Sequence, residues 1–236
     1  MMYRPLLLLF ILVLVMAWSL WFKKLTVAGA ICGSLIGLCV YAGAGFTGIA
    51  LLGAFFILGT VATSFKKEEK ETSGLTVKIE AQRTAGQVLA NGGTAGLLGI
   101  AAAFSPQHAL VFQVMLAASL SSAAADTLSS ELGLVLGKRF YNIRTLQKDS
   151  RGLDGVISLE GTLAGLFGSF CIALIFALGY GFSTSFTWII VAGTIGNLSD
   201  SFLGATLERK HILNNNSVNF LNTAIAASAA LLLFYL

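Results

Sequence analysis

Ser121-Ser122-Ala123-Ala124-Ala125-Asp126-Thr127-Leu128-Ser129-Ser130-Glu131-Leu132-Gly133 is the stretch that decides how this chain must fold. It lies inside an apolar run from about 109 to 137, long enough to cross a bilayer, yet it carries two carboxylates and four serines. On insertion scales an acid at the centre of a membrane helix costs about 2.5–3.5 kcal/mol, so an acid inside a span marks a functional site by default. Ser122, Asp126, Ser129, Ser130 and Gly133 fall on one helical face, and Glu131 lies on its flank, roughly one and a half turns beyond Asp126.

The rest of the chain makes that run one span among several. Of 236 residues, 56% are hydrophobic and only 11% charged, and the mean hydropathy is +0.83. A soluble domain of this size needs more polar surface. The apolar runs are continuous and about 20 residues long, so they predict helices and exclude the alternating strands of a membrane barrel. They fall at about 5–22, 25–43, 47–65, 86–104, 109–137, 156–178, 186–207 and 218–236. The expected fold is an all-α polytopic membrane protein, a bundle of about eight transmembrane helices. Residues 1–65 form accessory helices, 66–85 a cytoplasmic loop, and 86–236 a catalytic core with cytoplasmic loops 138–155 and 208–217.

Charge supports this count. With eight spans, fourteen of the fifteen lysines and arginines fall on one side, and Arg4 alone on the other. The positive-inside rule makes the rich side cytoplasmic and puts both termini outside. In a bacterium this means the inner membrane, with the site facing the cytoplasm. The net charge of +4 therefore reports topology, and no nucleic-acid partner is expected. Cys32, Cys39 and Cys171 lie in apolar runs without metal spacing, and His108 and His211 lack a second ligand, so a zinc site is not expected. Gly29, Gly33 and Gly37 repeat at the interval that lets membrane helices approach closely. Glu208 reads as interfacial and solvated.

Polar residues from five spans converge at one depth. At 1.5 Å per residue Asp126 lies roughly 25 Å along its span, near the inner edge of a core about 30 Å thick. Gln87 and Asn91 of the fourth span, Ser158 and Glu160 of the sixth, Asn197 and Asp200 of the seventh, and Ser217 and Asn219 of the eighth reach the same level. The basic loop holding Lys138, Arg144, Lys148 and Arg151 covers this layer. Carboxylates bind Mg²⁺, which bridges phosphate oxygens, and cations and free helix N–H groups near Gly86 and Gly155 neutralise further phosphate charge.

Five motifs stand in order: Gly86-Gln87-Val88-Leu89-Ala90-Asn91-Gly92-Gly93, Ala125-Asp126-Thr127-Leu128-Ser129-Ser130-Glu131-Leu132-Gly133, Gly155-Val156-Ile157-Ser158-Leu159-Glu160-Gly161-Thr162, Asp200-Ser201-Phe202-Leu203-Gly204-Ala205-Thr206-Leu207 and Asn216-Ser217-Val218-Asn219-Phe220. In this the chain resembles the integral-membrane family that includes the plant phytyl-phosphate kinases, over about 60 to 225. The resemblance implies phosphoryl transfer from a nucleoside triphosphate to an isoprenoid monophosphate. A looser similarity to CTP-dependent dolichol kinases and phosphatidate cytidylyltransferases favours CTP as donor. Leu128 stands where relatives usually carry an aromatic residue, and Arg151-Gly152-Leu153-Asp154-Gly155 departs from their proline- and glycine-paired segment.

The expected roles follow. Asp126, Glu131 and Asp200 are the catalytic and metal residues. Asn91, Lys138, Arg144, Lys148, Arg151, Ser158, Glu160, Asn197 and Asn219 bind nucleotide and phosphate. Mg²⁺ is the cofactor, a nucleoside triphosphate the co-substrate and a lipid phosphate the acceptor, and an oligomer is compatible with the sequence. A cytidylyltransferase would use the same carboxylates but release pyrophosphate. A flippase of phosphorylated lipids would carry polar residues across to the outer side, where these spans are largely apolar.

Overall fold

The computed structural model describes residues 3–66 and 82–236. Most of the mixed-charge loop expected at 66–85 lies outside those residues. Seven helices are described: α1 (Tyr3–Trp21), α2 (Val27–Ser64), α3 (Ala85–Phe104), α4 (Ala109–Leu136), α5 (Leu159–Tyr180), α6 (Thr184–Leu203) and α7 (Asn215–Phe234). All but α6 are long and apolar enough to cross a membrane. α6 carries Asn197 and Asp200 and packs against α4, α5 and α7.

The expected second and third spans form one element, α2, whose 38 residues would reach about 57 Å if straight. Gly45 breaks it at φ 59°, ψ −149°. That conformation is essentially restricted to glycine. The limbs fold back on each other, so that Lys24 Nζ donates to Ser64 Oγ at 3.0 Å across the open ends. Seven helices thus make eight antiparallel passes. The break also frees carbonyls that lipid cannot satisfy. Gln113 Nε2 donates to Gly43 O at 2.7 Å, and the Tyr180 hydroxyl donates to Ala44 O at 3.0 Å. Alternation puts both termini on the face of the Gly45 turn, opposite the loops between α4 and α5 and between α6 and α7.

α4 is the axle of the bundle. Its 28 residues span about 42 Å, and an unbroken run from Leu116 to Ala125 is buried. Small residues explain the burial. Gly161, Gly165 and Gly168 line α5, where an added Cβ would stand 2.7 Å from Ser129 O, 3.0 Å from Ala125 O and 3.1 Å from Ala124 O. On α6, Gly193 and Gly196 receive the side chains of Ser121 and Ser122. Backbones approach closely because nothing stands between them. The sequence stripe Gly29, Gly33, Gly37 meets three different neighbours instead of one helix: the Arg83 backbone, Val88 and Leu12.

The dry core lies toward the end of the bundle that carries the Gly45 turn. Val40, Leu51, Val114, Leu116, Leu120, Ile172, Phe176 and Ile189 fill it, each essentially without solvent contact. The opposite end is covered by the loop after α4. Its strands β1 (Tyr141–Asn142) and β2 (Val156–Ile157) pair antiparallel, with Tyr141 opposite Ile157. The sixth span therefore starts later than its apolar run, at Leu159 with Ser158 as N-cap, because 156–157 is strand. The fourth is capped at Thr84, where Thr84 and Gln87 form a reciprocal capping box.

Gly45 and Gly53 give a clean test, since an added Cβ meets nothing within 4 Å at either site. Gly45→Ala should cost roughly 1–3 kcal/mol through backbone strain alone. Gly53→Ala, within a regular helical limb, should be neutral or stabilise by up to about 1 kcal/mol. Thermal unfolding in detergent reads both, and equal effects would contradict the hairpin.

Candidate functional site

The site lies toward the C-terminal end of α4, where the run of small buried residues ends and Asp126 begins. The carboxyl groups of Asp126 and Asp200, on α4 and α6, meet within hydrogen-bonding reach of each other. Asn222 of α7 fixes the second acid, donating from Nδ2 to Asp200 Oδ1 at 2.7 Å. Its Oδ1 in turn accepts from Ser122 Oγ of α4 at 3.0 Å. Three helices are thus tied by one polar chain, Ser122–Asn222–Asp200–Asp126. At the next residue of α7, the hydroxyls of Thr94 on α3 and Thr223 are 2.8 Å apart, which brings in a fourth helix. Among the described residues, no lysine or arginine forms an ion pair with Asp126 or Asp200.

The other expected residues take varied places. Glu131 is half-buried and close enough for its charge to act on Asp126 and on Arg83. Asn197 is buried one turn before Asp200, its amide against Gly165. Asn91 donates to Gln87 O at 2.9 Å, and Asn219 to Asn215 Oδ1 at 3.4 Å. The Oδ1 atoms of both asparagines are buried without a hydrogen-bond partner. Ser158 Oγ accepts from Gly161 N at 3.1 Å, so its hydroxyl is engaged in starting α5. Glu160 accepts from the backbone N–H of Lys138 at 3.3 Å, closing the loop onto α5.

The basic loop divides. Lys138, Arg144 and Lys148 are exposed. Arg151 is half-buried with its guanidinium 5.9 Å from the centre of the Phe140 ring, and its Nε–H is buried with no partner. The loop has its own internal frame. Asn142 Oδ1 accepts from the N–H groups of Arg144 and Thr145, and its Nδ2 donates to Asp149 at 3.1 Å. Asp149 pairs with Arg209 at 2.8 Å, and Arg209 Nε donates to Asp154 O at 2.6 Å. The Asn142 amide, the Ser150 N–H and Arg209 hold the Asp149 carboxyl below its ordinary range. Gly155, at φ 71°, lets the loop lie directly on Ala205 and the Ser201 carbonyl.

This docking adds two acids that the sequence did not single out for the site. Asp154 sits close to Asp200, and the wide π-turn Gly204–Glu208 carries Glu208 toward both. Glu208 is half-buried, which corrects its reading as a solvated interfacial residue. Burial first, then the charges of Asp154 and Asp200, push its carboxyl up to about 7. Asn222 also went unnoticed, although an amide three residues after Asn219 in an apolar span carries the same signal. Asp154 and Arg83 are brought in by tertiary contacts alone.

The residues present fit a divalent cation of the Mg²⁺ kind. Two touching carboxylates need a positive charge or a proton between them. Among the described residues, no three His, Cys, Asp or Glu side chains are grouped to hold an ion by themselves. An ion here would take two protein carboxylates and complete its shell with phosphate and water, which is how Mg²⁺ is usually held.

Comparison with known proteins adds an independent line. The model of the family described as integral membrane protein DUF92 matches residues 10–227. An uncharacterised membrane protein of Methanocaldococcus jannaschii is 35% identical over 206 residues, covering 87% of this chain and 84% of that protein. One of Synechocystis is 36% identical over 206 residues, covering 84% and 78%. Protein VTE6, chloroplastic, of Arabidopsis thaliana is 31% identical over 230 residues, covering 94% and 69%. No solved structure matches the chain significantly.

The Glu208 environment predicts a pH dependence with a definite sign. Its folded value of about 7 lies above its ordinary 4.5, so the folded state binds more protons between those values. Its contribution to stability is full below about pH 4.5 and is lost as pH rises through about 7. The melting temperature of the wild type relative to Glu208→Gln should therefore fall between about pH 5 and about pH 8. A difference that stays constant with pH would show that Glu208 is solvated after all.

Proposed function

We propose, from the premise that the chain belongs to the integral membrane protein family DUF92, that it transfers the terminal phosphoryl group of a nucleoside triphosphate to an isoprenoid monophosphate. The single observation that carries this reading is the contact between Asp126 and Asp200, with no basic side chain paired to either among the described residues. The five ordered motifs and the likeness to protein VTE6 support it.

In this reading the attacking group is a phosphate oxygen of the acceptor. With a second pKa near 6, that phosphate is largely ionised at neutral pH, so no strong general base is required. The oxygen bonds to the γ-phosphorus, the bond to the β–γ bridging oxygen breaks, and its electron pair leaves with the nucleoside diphosphate. Catalysis then rests on alignment and charge neutralisation. Asp126 and Asp200 would hold Mg²⁺, which supplies positive charge between the phosphoryl oxygens. Asn222 keeps Asp200 oriented. Arg151 offers its unpartnered Nε–H to a nucleotide phosphate, and Lys138, Arg144 and Lys148 add positive charge around the mouth. Asn91 and Asn219 have amide oxygens free to accept from water bound to the phosphate or the ion. The looser motif similarity makes CTP the first donor to try, and the site would face the cytoplasm.

The outer half of the bundle favours an enzyme over a flippase. Leu116, Leu120, Phe176 and Ile189 close it, and among the described residues the buried polar groups there are serine hydroxyls with no charged side chain.

The test is purified protein in lipid nanodiscs with geranylgeranyl or phytyl monophosphate, Mg²⁺ and each common nucleoside triphosphate in turn. The expected products are the prenyl diphosphate and a nucleoside diphosphate. Asp126→Asn and Asp200→Asn should each lower kcat by about 10²-fold or more, the scale of losing a preorganised electrostatic group. Absence of diphosphate with every donor would overturn the reading. Release of pyrophosphate would replace it with nucleotidyl transfer.

A further inference from the structure

We propose that the apolar cavity enclosed by α1, α2 and α3 receives the hydrocarbon tail of a single-chain lipid monophosphate, and that Arg83 at its inner end binds that lipid's phosphate. The identity of the lipid as the phosphoryl acceptor rests on the kinase reading above; the cavity and its cation do not.

The cavity measures about 370 Å³, within the range of small-molecule sites. Its walls are apolar, with Leu12 and Val15 from α1 facing Leu52 and Phe56 from the second limb of α2. It follows α1 from Ile11 to Ser19, a length of about 12 Å. Arg83, Gln87 and Asn91 meet it toward the start of α3, and its other polar residues, Ser19 and Ser34, donate their hydroxyls to backbone carbonyls of their own helices. A greasy slot with a cation and amides at one end has the polarity of an amphiphile with one chain and an anionic head.

Arg83 is held as a binding residue would be. Its backbone is fixed by Arg83 N donating to Lys24 O at 2.9 Å and Thr26 N donating to Arg83 O at 3.1 Å. Two glycines make room for it. An added Cβ would stand 2.7 Å from Arg83 O at Gly29 and 2.8 Å from Arg83 Nη2 at Gly59. The guanidinium lies 6.0 Å from the centre of the Phe55 ring, which also lines the cavity. Across from it, Glu131 is near enough for its charge to act on both Arg83 and Asp126. The head end of the slot therefore faces the acids.

Entry has an evident route. α1 is attached lightly, with only Leu8 and Ser19 buried along its 19 residues. A tail sliding in from the bilayer beside α1 would bring its phosphate to the inner face, and a tail longer than the slot would run on into lipid. The slot takes one chain, so a two-chain phosphatidate should be a poor ligand.

The experiment needs no turnover. A prenyl monophosphate bearing a diazirine near the head of its tail is photolysed with the purified protein, and the labelled peptides are identified. Label is expected on 11–19 and 49–57. Geranylgeranyl monophosphate should compete it away, whereas geranylgeraniol and dioleoyl phosphatidate should not. Gly53 lines the cavity with open space before it, so Gly53→Phe should plug the slot and abolish labelling. Gly33→Leu plugs it from the other limb if the first variant does not fold. Arg83→Gln should weaken competition by the monophosphate roughly tenfold or more, as loss of a charge-assisted phosphate contact does. Label elsewhere, or label unchanged in a folded plugged variant, overturns the proposal. Label as expected, with no diphosphate formed from any nucleotide, upholds the cavity and fells the kinase reading alone.

Discussion

Two carboxylates meet at the end of the bundle opposite the Gly45 turn, and the rest of the structure is arranged around keeping them there. Ionised groups about 4 Å apart repel by about 4 kcal/mol at the effective dielectric of a protein's edge. Asp126 and Asp200 come from helices that would separate if nothing held them. Glycines on α5 and α6 let those helices close on α4, and the Asn222 amide and Ser122 hydroxyl lock Asp200 in place. A scaffold that opposes repulsion this directly is suited to a ligand that relieves it.

The membrane sets the division of labour along each helix. At the Gly45 end the carbonyls freed by the break are met by Gln113 and Tyr180. Toward the opposite end polar groups are left open, among them Asn91 Oδ1, Asn219 Oδ1 and Arg151 Nε. The loop after α4 covers that end. Its frame of Asn142, Asp149 and Arg209 fixes Asp154 beside Asp200 and leaves the lysines at the rim.

Much of this was readable from the chain, and the reasons are physical. Helix length against bilayer thickness predicts the passes, and the convergence of Asp126 with Asp200 follows from counting 1.5 Å per residue along antiparallel spans. Glycine's special role at 45 was not readable, because Gly43, Gly45 and Gly48 look alike in sequence and only the turn distinguishes them. Ser158 stands at a helix start, where a phosphate contact and an N-cap give the same sequence signal. Arg83 was not singled out, and Glu208 looked like an ordinary interfacial charge. Their positions depend on two glycines elsewhere in α2 and on a π-turn, neither of which local pattern announces.

The most direct measurement is electron paramagnetic resonance of Mn²⁺ bound to the purified protein with a nucleoside triphosphate present. The account requires one tight site in which the ion shows phosphorus coupling from the nucleotide, lost in both Asp126→Asn and Asp200→Asn. Mn²⁺ that binds as well without either carboxylate, or that shows no phosphorus nearby, would contradict it.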